Sequence, residues 1–224
     1  MSDAIRKMFD EISPRYDMLN RVLSARRDVA WRKRSVQKLP NQPLDILDLC
    51  GGTGDFLMEA QAAGRFRSGV VADFSAGMLS HVSRKADLAA IQADALALPF
   101  ADASFDACLC GFGMRNLDDL EAGVRSVHRV LRPGGTFVTL EFFRPEMVVP
   151  RFFYNVLAPI AIPAVGKVFG SRKDAYEYLV RSTQRFARVG DYGLMLEHCG
   201  FEKVEILPND FGISHLVVGT KRAA

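Results

Sequence analysis

The sequence predicts an α/β fold built on a doubly wound, mostly parallel seven-stranded sheet with a C-terminal antiparallel hairpin. Three observations carry this. Short apolar runs alternate with helix-like segments between residues 44 and 142. The first run opens into the glycine turn Gly51-Gly52-Thr53-Gly54. Beyond residue 200 two strand-like runs follow one another with only Asn209-Asp210-Phe211-Gly212 between them. Alternating strands and helices require right-handed crossovers and a parallel sheet covered on both faces, whereas a short turn pairs its strands antiparallel.

Taken in order, 44–49 is a buried strand, 56–63 a helix, 68–73 a strand and 76–86 a helix. A third strand over 89–92 precedes the Asp94 turn, and 105–110 is the fourth. A helix over 117–131 should stop at Arg132-Pro133-Gly134-Gly135, because Pro and paired Gly forbid continuation, and 136–142 resumes as the fifth strand. The apolar stretch 148–170 is broken by Pro150, Pro159, Pro163, Arg151 and Lys167. A bilayer span needs about 20 uninterrupted apolar residues, so this stretch is expected to be a Pro-kinked helical lid. Helices over 174–185 and 191–199 and strands over 201–208 and 213–221 complete the chain.

With 224 residues, 49% hydrophobic and 25% charged, the chain has enough apolar side chain to offset chain entropy, which excludes a disordered or fibrous protein. The net charge of +3 is too small to mark a nucleic-acid binder. Residues 1–40 nevertheless hold ten Lys/Arg against five Asp/Glu, so the basic excess sits in the N-terminal arm. Cys50, Cys108, Cys110 and Cys199 form no C-x-x-C pair and no metal-ligand spacing with His, so reduced thiols and no metal are expected. No leader-like apolar run opens the sequence, which makes the cytoplasm the expected location.

A glycine turn between strand and helix aims backbone amides at a ligand. Here the third glycine of a dinucleotide fingerprint and the Lys of a phosphate loop are both missing. Asp48 and Asp55 flank Gly52, Thr53 and Gly54 and make the turn acidic, which favours a cationic ligand. A sulfonium such as S-adenosylmethionine fits that polarity. Asp73, ending the second strand, can accept from ribose hydroxyls, and Asp94, with Ala95 beside it, from an adenine amino group. Gly111 is the remaining expected contact.

Further motifs extend along nearly the whole chain: Met8-Phe9-Asp10-x-Ile12, Tyr16-Asp17-x-x-Asn20, Ala97-Leu98-Pro99-Phe100-x-Asp102, Phe112-Gly113-x-Arg115-Asn116, Arg129-Val130-Leu131-x-Pro133-Gly134-Gly135, Leu140-Glu141-Phe142 and Tyr176-x-Tyr178-Leu179-x-x-Ser182. Together with the glycine turn they resemble the class I methyltransferases of ubiquinone and menaquinone biosynthesis. The resemblance implies a Rossmann-like methyltransferase fold and S-adenosylmethionine as co-substrate. It also implies C-methylation of a prenylated quinol, demethylmenaquinol to menaquinol being the leading reading, with benzoquinol and naphthoquinol left open. Two departures touch the acceptor region: Asp28 stands where the family has His after Ser24, and Phe186-Ala187 replaces Phe-Pro. The expected division is one methyltransferase domain over 1–224: an arm (1–40), an adenosylmethionine-binding core (41–143), a helical insertion (144–190) and a closing helix with hairpin (191–224).

Methyl transfer to carbon needs an electron-rich ring. Arg115 is expected to stabilise a developing phenolate electrostatically, since its high pKa makes it a poor base. Asn116 would hold a water or a quinol oxygen. Tyr16, by family match, and Glu141, by its place near the end of the fifth strand, are further candidates. His81, His128, His198 and His215 are expected to be structural. The Pro-Pro-aromatic element and the Pro-Cys nucleophile of nucleic-acid methyltransferases are absent. A small-molecule O-methyltransferase and a non-catalytic adenosyl- or lipid-binding subunit remain the alternatives. The basic 21–38 stretch and the 148–170 segment suggest a transient, peripheral membrane contact, and the latter also a homodimer.

Overall fold

The structure, a computed structural model, describes residues 3–82, 88–146 and 173–223. Its strands are β1 (Leu44–Leu49), β2 (Phe66–Asp73), β3 (Ala89–Gln92), β4 (Phe105–Gly111), β5 (Leu131–Glu141), β6 (Phe201–Asn209) and β7 (Ser214–Lys221). They form one sheet in the order β3-β2-β1-β4-β5-β7-β6. β1 pairs parallel with β2 and β4, and β2–β3 and β4–β5 are parallel too. β7 runs antiparallel to both β5 and β6. The period of two divides the core: Leu47, Leu49, Cys108, Cys110 and Phe137 fill one face, and Ile46, Ala107, Leu109, Val138 and Leu140 the other. Strands buried on both faces read as continuous apolar runs, which is why the sequence displays them.

The helices are α1 (Asp3–Ile12), α2 (Tyr16–Leu23), α3 (Arg27–Val36), α4 (Asp55–Ala62), α5 (Ala76–Leu79), α6 (Leu120–Val130), α7 (Lys173–Arg185) and α8 (Val189–His198), with a 3-10 turn at Met114–Asn116. Three expectations are corrected. The helix expected from 117 starts at Leu120, because the Asp119 carboxylate accepts the Ala122 amide at 2.9 Å and caps it there. β5 starts at Leu131, not at 136. Arg132-Pro133-Gly134-Gly135 is a bulge within the strand, with Gly134 at φ +78° and the pairing to β4 shifting between Phe105 and Ala107. The helix expected over 76–86 ends at Leu79, because the chain turns at Ser80 and His81, where the His81 amide donates to the Met78 carbonyl; 83–87, like the 148–170 lid, lie outside the described residues.

Strand order reverses at β1, whose chain neighbour β2 lies on one side and β4 on the other. Such a switch point opens a crevice at the carboxyl ends of the strands. The arm crosses it. Asp10 accepts from the Ser75 hydroxyl at 2.5 Å and from the Gly77 amide at 3.0 Å, and Asp17 accepts from the Thr53 hydroxyl at 2.7 Å. At its far end the arm is tied to the C-terminal hairpin. Arg27 and the Trp31 indole both donate to Asp210, and Arg34 donates to the Asn209 side chain at 2.7 Å.

Ion pairs also take up much of the basic 21–38 stretch. Arg21 pairs with Asp28 and Asp55, Arg32 with Asp28, and Lys38 with Glu205. Most of the cations serve internal ion pairs. Among the described residues no helix is long and apolar enough to cross a membrane.

Candidate active site

The turn after β1 alternates left-handed positions, with Cys50 at φ +51°, Gly52 at +56° and Gly54 at +82°. That curl needs glycine and delivers the chain into α4, whose N-terminal cap is Gly54. Asp48 lies wholly buried beneath it. One carboxylate oxygen accepts the Leu57 amide at 3.4 Å, and the other has no hydrogen-bond partner. Burial pushes its pKa up to about 8, so Asp48 is chiefly the neutral acid at pH 7. Asp55 is matched by Arg21 at 2.8 Å and Arg32 at 3.6 Å. The acidic character expected of these two residues is therefore neutralised, one by protonation and the other by ion pairing.

The acid that faces the crevice is Asp73. One of its oxygens accepts the Gly52 amide at 2.9 Å and the other the Ser75 amide at 2.8 Å. Burial raises its pKa, and these amide bonds oppose the rise. A carboxylate has about four acceptor sites, so beside the Gly52, Ser75 and Phe74 amides Asp73 keeps capacity for a ligand hydroxyl. Asp48, Gly52, Thr53, Asp73, Gly111 and Asn116 all line a cavity of about 40 Å³. Next to it Asp73, Asp94 and Ala95 line a smaller pocket of about 10 Å³. The structure thus gathers every sequence-expected ligand residue except Gly54, which lines neither pocket. Asp94 also accepts the Leu96 amide at 3.0 Å.

A second cavity of about 280 Å³ lies between the arm, the ends of β4 and β5, and α7. Its wall is chiefly apolar, including Ile12, Leu19, Leu23, Trp31, Phe142 and Ile213, with Arg115, Tyr178 and Asp28 among its polar groups. Phe9, Tyr16 and Phe112 line both this cavity and the glycine-turn cavity, so the two spaces meet at these rings.

Arg115, on the 3-10 turn after β4, lines the apolar cavity only. It donates to Glu141 at 2.8 Å and to the Ser182 hydroxyl at 3.3 Å, and its guanidinium carbon lies 5.9 Å from the centre of the Phe142 ring. Burial works against its charge, but Glu141 and the neighbouring tyrosines more than offset this and its pKa is raised. Burial also raises the pKa of Tyr16, whose hydroxyl bonds the Asn20 side chain. Asn116 accepts from the Tyr178 hydroxyl at 2.7 Å and donates to the Phe112 carbonyl at 3.3 Å.

Glu141 is corrected. It is fully buried, lines neither cavity, and spends its oxygens on Arg115 and on the amides of Arg115 and Phe142, so it positions Arg115. Sequence reasoning assigned no role to Asp10, Asp17 or Tyr178, although all three stand within the motifs quoted above. Their spacing from the partners they meet is too long to read locally. Among the described residues no three His, Cys, Asp or Glu side chains cluster as a metal site.

Comparison with known proteins bears on this arrangement. A protein of Thermus thermophilus named demethylmenaquinone methyltransferase is 38% identical over 221 residues, 96% of this chain and 100% of that one. The ubiquinone/menaquinone biosynthesis C-methyltransferase UbiE of Rubrivivax gelatinosus is 37% identical over 224 residues, 98% of this chain and 88% of its own. Among solved structures, a SAM-dependent methyltransferase of Thermotoga maritima superposes with a TM-score of 0.71 at 18% identity, covering 96% of this chain and 99% of that one. This likeness shows the fold to be that of class I methyltransferases. The profile of the ubiE/COQ5 methyltransferase family matches residues 1–221, and the chain belongs to that family.

Proposed function

We propose that this enzyme methylates a ring carbon of a prenylated quinol, using S-adenosylmethionine, with demethylmenaquinol as the first acceptor to test. The observation that carries the reading is the meeting of a polar glycine-turn cavity and a chiefly apolar cavity at Phe9, Tyr16 and Phe112. Two substrates of opposite polarity must touch at one point, and this is such a point. The names of the relatives point to the same acceptor class.

The residues present suit an adenosyl ligand. Gly52, Thr53 and Gly111 give close backbone approach, Asp73 offers spare lone pairs to a ribose, Asp94 and Ala95 border the base, and the unpartnered oxygen of Asp48 lies below. That ligand supplies an electrophilic methyl on a sulfonium. Arg115 and Tyr16 both hold their protons at neutral pH, so they donate hydrogen bonds to the ring oxygen as negative charge grows on it. Neither is a base: a quinol hydroxyl gives its proton to water held near Asn116. Once the carbon–methyl bond has formed, the ring carbon loses its own proton to water while the oxygen is reprotonated, so one proton is released for each methyl transferred. Glu141 and Tyr178 fix Arg115 and Asn116 in place. Ligand pockets ordinarily exceed ~300 Å³, so the arm must lift at Phe9 and Tyr16 to admit the adenosyl group and then close over it. The division into arm, adenosyl-binding core, insertion and closing hairpin belongs to the same proposal.

An electron-poor quinone has no ionisable hydroxyl to push density onto carbon, so the acceptor must be the two-electron-reduced form. Methylation of a prenylated naphthoquinone with and without dithionite tests this. Product is expected only with reductant, and equal rates on the oxidised form would overturn the quinol mechanism. A prenyl tail keeps the acceptor in a bilayer, since each buried methylene contributes about 0.8 kcal/mol, so the enzyme is expected to visit the membrane surface.

A further inference from the structure

Phe211 is 82% exposed, at the tip of the turn between β6 and β7. It occupies the left-handed region at φ +59°, directly after Asp210 at +43° and before Gly212 at +88°. A bulky side chain rarely adopts that conformation, and it persists only where the surroundings enforce it. Here they do. The Asp210 carboxylate is held by Arg27 and by the Trp31 indole at 2.7 Å, and the Ile213 amide returns to the Asp210 carbonyl at 3.3 Å. A strained, pinned turn therefore keeps an aromatic ring in water.

The turn that carries the ring borders the apolar cavity. Asp210 and Ile213, on either side of Phe211 in sequence, line that cavity, and so do Ser24, Ala25 and Arg27 of the turn between α2 and α3. The two turns are bridged by the Arg27–Asp210 ion pair. On the second turn Ala25 and Arg26 are exposed and left-handed, at φ +48° and +64°, and Val22, just before it, is 39% exposed. Arg27 matches the charge of Asp210, while Arg26 adds an exposed cation. The two turns thus offer an aromatic ring, short apolar groups and net positive charge. An exposed phenylalanine on a membrane-facing surface buries its ring at the boundary between headgroups and acyl chains, and cations beside it meet anionic lipid.

We propose that the turns at 24–27 and 209–213 form a bilayer-docking rim, with Phe211 inserted at the boundary between headgroups and acyl chains and Arg26 facing anionic lipid, so that the apolar cavity opens directly onto the membrane. Its purpose rests on the prenylated-quinol reading, but docking is measured without any acceptor. Wild type, Phe211→Ala and Arg26→Glu would be sedimented with phosphatidylcholine vesicles lacking or containing one quarter phosphatidylglycerol. The wild type should bind the anionic vesicles and be released by salt. Phe211→Ala should weaken partitioning about tenfold on both compositions, whereas Arg26→Glu should weaken it on the anionic vesicles alone. Both variants should keep wild-type melting temperatures and turnover on a short-chain, water-soluble quinol. Absence of wild-type binding, or unchanged binding of Phe211→Ala, would overturn the rim. A clear fall in the melting temperature of Phe211→Ala would overturn it too, by assigning the ring to packing within the chain. Intact vesicle binding without methylation of any quinol would overturn the substrate reading alone.

Discussion

At the scale of single residues, Asp48 and Arg115 show how burial decides what a charge does. Asp48 binds a proton on folding that the unfolded chain releases, because its folded pKa of about 8 lies far above the ordinary 3.8. Between those values the native state holds more protons than the unfolded one, so its contribution to stability is full at low pH and is lost as pH rises through 8. The Asp48→Asn variant should remove a slope of about 1.4 kcal/mol per pH unit across this window, a difference that urea unfolding of both proteins at pH 5, 6 and 7 would reveal. Arg115 keeps its charge because Glu141 balances it within the protein. Arg115→Lys retains a cation but loses the planar fork that reaches Glu141 and Ser182 together. Turnover should fall about a hundredfold while calorimetric affinity for S-adenosylhomocysteine stays near wild type, and equal losses in both would make the residue structural. Asp73 and Asp94 were legible in the sequence because acids at successive strand ends follow from the topology. The neutrality of Asp48 was not, since it depends on burial beneath elements distant in the chain.

At the scale of elements, the 3-10 turn that carries Arg115 and Asn116 sits against the glycine turn only because Gly113 has no side chain. A Cβ there would lie 2.3 Å from Cys50 Cβ and about 3 Å from the sulfurs of Cys50 and Cys110. Its backbone, at φ −105°, would accept alanine, so the obstacle is purely the contact. Gly113→Ala should destabilise the protein by about 1–3 kcal/mol, read from the urea midpoint, and should weaken S-adenosylhomocysteine binding as the two turns move apart. The inner strands β1, β4 and β5 were legible in the sequence because both of their faces are largely buried and their apolar residues run nearly continuously. The bulge in β5 was not. Pro and paired Gly break a helix and bulge a strand with the same residues, and only pairing with β4 reveals which. Asp119 explains the late start of α6, but a capping acid looks like any polar loop residue until its amide partner is seen.

At the scale of the whole molecule, the arm joins the cofactor crevice at one end to the C-terminal hairpin at the other. Asp10 and Asp17 hold the crevice closed through Ser75, Gly77 and Thr53, while Asp210 anchors α3. Ligand beneath the arm should therefore slow amide exchange in α1 and α2 at least tenfold, with little change in β6. Hydrogen-exchange mass spectrometry with saturating S-adenosylhomocysteine measures this, and protection confined to the glycine turn would show that the arm does not report the site. The position of β7 has a further consequence. It is the final strand of the sheet in sequence, yet it lies between β5 and β6, and the residue that anchors α3 stands only just ahead of it. A nascent chain can emerge from the ribosome with its glycine turn complete while β6 still has no neighbour and α3 has nothing to fasten to. Fastening of α3 to the hairpin must therefore await the synthesis of β7, so a chain halted before that strand would hold a formed glycine turn beneath a half-secured arm.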